Sequence, residues 1–384
     1  MISISKLYCG AVEPADDLRY GRAGGLGKPV VVFNCTRRCN LRCRHCYAGA
    51  SDRNTDGELS GDESLALLDD LAAFGVPVVL FSGGEPLGRA DLPALVRRAT
   101  ELGMRAVVST NGTLIDERLA RCLQQAGAAY VGVSLDGMRA TNDAFRGMDG
   151  AFDAAIAGIR NCRAAGIKVG LRFTIHKHNA EEIDGIFKLA RDENISRLCF
   201  YHLVYAGRAS TLMDEDLDHA ATRAAVDEII DRTAELHRRG LSVEVLTVDN
   251  HADGPYLYLR MLRQHSPRAE QVLRLLRTAG GNASGCGIGC VGWDGRVHPD
   301  PFWRNVSLGD VRRRSFADIW SDESNPLLAK LRDKGSYVTG RCKRCRFLDV
   351  CGGNFRTRAE AATGELWAPD PACYLTDEEI GLGG

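Results

Sequence analysis

Between Val30 and Val248 short apolar runs alternate with amphipathic stretches. The runs cover residues 29–33, 76–81, 105–109, 130–135, 167–175, 198–204 and 243–248, and most are rich in Val and Ile, which suit a buried pleated surface. The stretches between them repeat apolar residues at helical spacing, as in Leu65, Leu68, Leu71 and Ala72. Their ends are readable. Ser60 and Glu63 form a capping-box pattern with Gly75 as the stop; Asp91 and Gly103 bracket a second helix, Asp116 and Gly127 a third, and Gly166 closes a fourth. Strand–helix–strand repetition with short links predicts parallel strands joined by right-handed crossovers. Six or seven such units predict an α/β fold, a partial (β/α)6 TIM-like barrel.

Residues 214–240 read as a long helix and 254–278 as one or two more, and the break GGNASG at 280–285 marks a boundary. The division expected is an N-terminal extension at 1–28, the barrel at 29–250, a helical linker at 251–280 and a small irregular domain at 281–384. In such a domain a metal site can supply the folding energy that a weak core lacks.

Charge and composition narrow the partners. The 384 residues carry a formal net charge of -1, so no nucleic-acid or anionic-membrane partner is expected, and the basic run at 312–314 reads as a solvated face. The opening MISISKLYCGAVEPADD has no apolar run of signal-peptide length, and no stretch approaches the ~18 apolar residues of a membrane span. A cytoplasmic protein is expected. Fourteen cysteines are many for a compartment in which disulfides are rare. Seven of them fall in two tight groups with ligand-like spacing.

The first group lies in CTRRCNLRCRHCYAG, just after the first strand, where Cys39, Cys43 and Cys46 have the spacing C-x3-C-x2-C. Three thiolates are one short of the four that normally hold a [4Fe–4S] cluster, which leaves one iron open to a small chelating ligand. Cys35 ends an apolar strand and reads as a buried residue. Loops that follow barrel strands gather at one face, where ligands bind. The second group is Cys342, Cys345 and Cys351, followed after a long gap by Cys373. Four thiolates fill all cluster positions, although a C-x2-C hook also suits zinc.

The first spacing resembles that of the radical S-adenosylmethionine (SAM) superfamily, whose pattern is C-x3-C-x-aromatic-C; His45 stands at the aromatic position and Tyr47 follows. A second family hallmark, GGEP, is Gly83, Gly84, Glu85 and Pro86 after the second strand. The resemblance implies that SAM binds here. Gly83, Gly84 and Glu85 would receive its methionyl amino group, Ser134 and Asp136 of SLDG its ribose hydroxyls, and Arg172 its carboxylate. Tyr47 and Asn111, in STNG, would complete the contacts. It also implies that an electron from the cluster cleaves SAM to a 5′-deoxyadenosyl radical. The C-terminal cysteines resemble the SPASM or "twitch" extension of such enzymes, with Cys342, Cys345, Cys351 and Cys373 as ligands of one auxiliary [4Fe–4S] cluster. For another auxiliary cluster that family has cysteines where Asp300 and Phe355 stand, with Cys286 and Cys290 as remnants. Two [4Fe–4S] clusters and SAM are the cofactors implied.

NCTRRCNLRCRHCYAGA, FSGGEPL, HLVYAGRA and RCKRCRFLDVCGGNFR together resemble the tetrapyrrole-modifying branch of the superfamily, nearest to the enzymes of haem d1 biosynthesis. That branch implies an iron tetrapyrrole substrate, 12,18-didecarboxysirohaem, loss of two propionate side chains, and an electron donor such as flavodoxin or ferredoxin. Related enzymes of the alternative haem pathway remove acetate groups or decarboxylate coproporphyrin. Arg208, Arg304, Arg356 and Arg358 are candidates for the substrate carboxylates, and His176, His178, His202, His251 and His298 for its iron. Two other readings stay open: a peptide-modifying SPASM enzyme and a non-enzymatic cluster carrier.

Overall fold

The computed structural model describes residues 1–10, 27–52 and 56–383. One sheet of eleven strands organises them, in the order β1-β8-β7-β6-β5-β4-β3-β2-β9-β10-β11. Its centre is seven parallel strands in sequence order: β2 (Val30–Thr36), β3 (Val78–Gly83), β4 (Arg105–Thr110), β5 (Tyr130–Ser134), β6 (Val169–Ile175), β7 (Arg197–His202) and β8 (Glu244–Val248). Helical crossovers make this six strand–helix units and a closing strand, the partial TIM-like barrel.

The helices begin where the caps place them. Helix α2 (Gly61–Phe74) carries both bonds of the Ser60/Glu63 capping box and ends at Gly75 in the left-handed conformation. Asp116 caps Glu117–Gln125 by accepting from the Leu119 amide. Asp91 precedes Leu92–Glu101 but makes no side-chain cap, because its carboxylate is held by Arg89. The long helix starts later than its pattern suggests, at His219–Arg238, where Asp218 accepts from the Ala221 amide.

Strand alternation sorts the barrel residues. Val31, Phe33, Val79, Phe81, Ala106, Val108, Val131, Val133, Leu171, Phe173, Leu198, Phe200 and Val245 belong to the main core. Their alternates, which include Ser82, Ser109, Ser134, Arg172 and Tyr201, share the opposite face, the bore. The residues expected to bind a ligand thus sit on one surface near the strand C-termini.

Both sheet edges are extended by pieces expected to lie outside the barrel. Strand β1 (Ile2–Ser3) pairs antiparallel with β8, and helix α1 (Ile4–Cys9) follows it with Ile4 and Leu7 fully buried. Of the expected N-terminal extension, residues 11–26 lie outside the described residues. At the other edge β9 (Ile288–Val291) pairs parallel with β2, and β10 (Arg296–His298) and β11 (Gly309–Asp310) continue antiparallel. The C-terminal region therefore shares the barrel's sheet and covers its open strand edge. Arg312 does not stand free on a solvated face: its Nε lies 2.6 Å from Glu63 Oε1 and fastens this region to the start of α2. Among the described residues no helix is long and apolar enough to cross a membrane.

Candidate active site

The loop after β2 carries Cys39, Cys43 and Cys46, and three other strand ends hold it. From β3, the amide of Gly84 donates to Thr36 O at 2.7 Å and that of Glu85 to Arg38 O at 2.7 Å. The GGEP glycines serve this approach: a Cβ on Gly84 would run into the Arg38 carbonyl, and Gly83 has φ +134° against the Thr36 backbone. From the helix after β5, the amides of Arg42 and Arg44 donate to Arg146 O at 3.2 Å and Phe145 O at 3.0 Å. From the loop after β7, Arg208 donates its amide to Cys46 O at 3.0 Å, its Nε to Cys43 O at 2.8 Å and its Nη1 to Ala50 O at 2.6 Å. Neighbouring Gly207 leaves no room for a side chain against Tyr47 O.

Two of the expected SAM-binding carboxylates have partners within the protein. Glu85 is 1% exposed, and its carboxylate accepts from Thr110 Oγ1 at 2.7 Å, Leu87 N at 3.0 Å and Asn111 N at 2.8 Å. These bonds tie β3 to β4 and fix the carboxylate at the strand ends. Asp136 is fully buried, accepts from Thr174 N at 2.8 Å, and pairs with Arg146 Nη2 at 2.5 Å and His45 Nε2 at 3.2 Å. Burial pushes its pKa up, but the Arg146 guanidinium, with the Thr174 amide, outweighs that and holds it below the usual carboxylate range. Asp136 meets the cysteine loop through His45. His45 is kept neutral, its pKa lowered to about 4 by burial.

Other expected contacts lie on the bore. Tyr47 OH donates to Asn34 Oδ1 at 3.1 Å and lies 3.1 Å from Ser82 Oγ. Asn111 Nδ2 reaches Asn40 Oδ1 at 2.9 Å and Cys39 Sγ at 3.9 Å. Ser134 is the register partner of Arg172. Arg172 rests on Tyr201 OH at 2.6 and 2.9 Å and on Ser109 Oγ. Among the described residues no carboxylate lies within ion-pair distance of it. A guanidinium held by hydroxyls alone keeps its charge uncompensated, as recognition of a carboxylate would require.

Cys342, Cys345, Cys351 and Cys373 line a single cavity against Ala252, Pro255 and Asn354. Four thiols around one internal space match the number that holds a [4Fe–4S] cluster. Among the described residues no three His, Cys, Asp or Glu side chains form a single-ion site. All fourteen cysteines are free thiols. Cys35 is fully buried and donates to Ser82 O at 3.3 Å. Where a further cluster would need ligands, Asp300 accepts from Ser284 Oγ at 2.6 Å, Phe302 N at 2.9 Å and Trp303 N at 3.0 Å, so its lone pairs are taken. Cys290 accepts from Asn34 Nδ2 at 3.4 Å, and Cys286 donates to Leu331 O at 3.2 Å.

Of the arginines expected to meet substrate, three are occupied. Arg208 holds the cysteine loop, Arg356 donates to Leu366 O and Ala368 O, and Arg358 pairs with Asp370. Arg304 differs: it stacks on Trp293 at 3.5 Å and has no hydrogen-bond or ion-pair partner among the described residues. Of the histidines, His202 pairs with Asp253 at 2.9 Å, His178 with Glu215 at 3.4 Å, and His298 Nδ1 meets Val306 O at 2.5 Å. His176 stacks on Phe145 at 4.0 Å. His251 stacks on Phe355 at 6.5 Å with a buried, unpartnered Nδ1. Tyr47, Phe302 and Phe355 pack in a row at 5.1 and 5.4 Å, joining the cysteine loop to this histidine.

The sequence reading missed Arg146 and Tyr201. Neither lies in a recognisable motif; Tyr201 alone had a signal, since its strand register sets it on the bore beside Arg172.

An open-edged parallel barrel, a three-cysteine loop bound to GGEP, and a four-cysteine cavity define a class. The family model for the radical SAM superfamily matches residues 33–190, and that for an iron–sulfur cluster-binding SPASM domain matches residues 286–346. The chain belongs to the radical SAM superfamily, and SAM and iron–sulfur clusters are its cofactors. Within that class it is 58% identical to the Fe-coproporphyrin III synthase of Methanosarcina barkeri over 99% of both chains. It is 44% identical to the pre-heme d1 synthase of Dinoroseobacter shibae, over 94% of this chain and 89% of that one. Its fold matches that of native anSMEcpe with bound AdoMet, with TM-score 0.69, 18% identity, and 92% and 96% of the two chains covered. It is a radical SAM enzyme of the kind that acts on tetrapyrroles.

Proposed function

We propose that the protein removes acetate side chains from an iron tetrapyrrole, 12,18-didecarboxysirohaem, to give Fe-coproporphyrin III. The observation that carries this reading is the 58% identity, over 99% of both chains, to a Fe-coproporphyrin III synthase. The haem d1 reading, loss of two propionates from the same compound, is the second; it rests on the 44% relative. Cys39, Cys43 and Cys46 would hold the cluster that cleaves SAM, with Arg172 on the SAM carboxylate and Ser134 and Asn111 beside it. Cys342, Cys345, Cys351 and Cys373 would hold the auxiliary cluster. A bound cluster and SAM supply an electron and a hydrogen-abstracting radical; the protein's part is to place the substrate and exclude water.

The residues suit a flat macrocycle with carboxylate arms. The row Tyr47, Phe302 and Phe355 offers aromatic surface, Arg304 an unpaired guanidinium, and His251 an unpartnered ring nitrogen. Phe355 stands where SPASM relatives place a cluster cysteine, which suits a macrocycle better than a peptide. A flavodoxin or ferredoxin in the cytoplasm would supply electrons. Anaerobic incubation with SAM, a reductant and 12,18-didecarboxysirohaem, followed by mass analysis of the pigment, tests the proposal. Loss of two two-carbon acid units supports acetate removal. Loss of two three-carbon acid units moves the protein to the haem d1 reading, and an unchanged pigment rejects both.

A further inference from the structure

Arg146 ends the helix Arg139–Arg146, is 7% exposed, and has a place in the cysteine loop that none of the roles above uses. Its Nη1 donates to Cys43 Sγ at 3.6 Å, and its Nη2 meets Asp136 Oδ2 at 2.5 Å. Asp136 is in turn fixed by the Thr174 amide at 2.8 Å and faces His45 Nε2 at 3.2 Å. The other two thiols of the loop have no such partner: Cys39 accepts from the Leu41 amide at 3.4 Å and from Asn111 at 3.9 Å, and Cys46 from the Ala50 amide at 3.4 Å. Cys43 is thus the thiol of the three that meets a cation.

We propose that Arg146 and Asp136 set the reduction potential of the N-terminal cluster, Arg146 as a cationic donor to the Cys43 thiolate and Asp136 as the counter-charge that limits its effect. Reduction adds negative charge to the cluster, so a fixed cation at a ligand sulfur favours the reduced state and raises the potential. Burial removes the water that would screen it. Asp136 lies one guanidinium further away and cancels part of the field. The pair is not needed merely to buttress the loop, since the backbone bonds to Arg146 O and Phe145 O already do that. Arg146 is a positioning residue in this account; it touches a cluster ligand and not the substrate.

The inference rests on membership of the radical SAM superfamily and not on the tetrapyrrole reading. The test is a redox titration of the full chain, reconstituted without oxygen, followed by electron paramagnetic resonance and needing no substrate. The N-terminal signal is assigned by its change on adding SAM, and the C-terminal cluster serves as internal reference. Arg146→Gln should move the N-terminal midpoint to more negative potential and Asp136→Asn to more positive potential, with Arg146→Lys between wild type and Arg146→Gln. Shifts of the same sign in Arg146→Gln and Asp136→Asn, or no shift, overturn the proposal. If Arg146→Gln does not retain iron and sulfide, Asp136→Asn decides alone: a rise supports the proposal, and a fall or no change refutes it.

Discussion

Gly84 shows what a hallmark residue does once its neighbours are visible. A methyl group there would enter the Arg38 carbonyl, backbone against backbone, so neither side can yield by rotating a side chain. Overpacking of this kind costs about 1–3 kcal/mol, and here the strain would fall on the loop that carries the thiols. Gly84→Ala is expected to fold but to load less iron at the N-terminal site, with 5′-deoxyadenosine formation reduced in proportion; normal loading would show that the loop tolerates displacement. Arg304→Gln is expected to act differently. It should weaken tetrapyrrole binding about tenfold, the scale of one charge-assisted hydrogen bond of ~1.5–3 kcal/mol, and leave SAM cleavage without substrate unchanged. A titration of the pigment absorption band measures the first quantity and product analysis the second. Cysteine spacing and GGEP were legible in the sequence because each is a short contiguous run whose spacing is read directly along the chain. The protein partners of Glu85 and Asp136 were not legible for a physical reason: a motif names a residue, not the distant groups its carboxylate meets.

At the scale of elements, strands and caps were legible because alternation and capping are local. The pairing of β9 with β2 was not, because hydrogen bonds between distant strands leave no periodic trace in either segment. The C-terminal segment is fastened in a similarly non-local way. Glu379 accepts from Arg223 Nη1 and Nη2 at 2.9 and 2.8 Å and joins the end of the chain to the helix His219–Arg238. The Arg223 hydrogen bonds hold Glu379 down, from 4.5 to about 2. A carboxylate with a depressed folded-state pKa contributes stability that is present above its unfolded value and is lost as pH falls. The expected window is therefore between 4.5 and about 2. Glu379→Gln should lower thermal stability at neutral pH and flatten its acid dependence in that window. Parallel loss in wild type and variant across it would show that the ion pair contributes nothing.

At the scale of the molecule, the four-cysteine cavity is joined to the last barrel strand. The loop after β8 presents Asn250 and His251 to the C-terminal region. Asn354 Nδ2 donates to Asn250 Oδ1 at 2.8 Å, and the His251 amide donates to Asn354 Oδ1 at 2.7 Å. Asn250 also reaches Ala372 O at 2.9 Å, next to Cys373. The four-cysteine cavity is therefore tied to the barrel mouth by amides that must stay in register, and Phe355 and His251 move with them. Losing one of its thiols should disturb substrate placement before it disturbs the SAM site, which is held by different strand ends. Cys351→Ala is expected to keep SAM cleavage in the absence of tetrapyrrole. Pigment conversion should fall by roughly a hundredfold, as for a reactant misplaced by about 1 Å, and residues 340–351 should become open to protease. Cys43→Ala should do the reverse, abolishing SAM cleavage while the C-terminal region stays protected. If Cys351→Ala removed both activities together, the two sites would be one cooperative unit, and the separate roles assigned to them would be wrong.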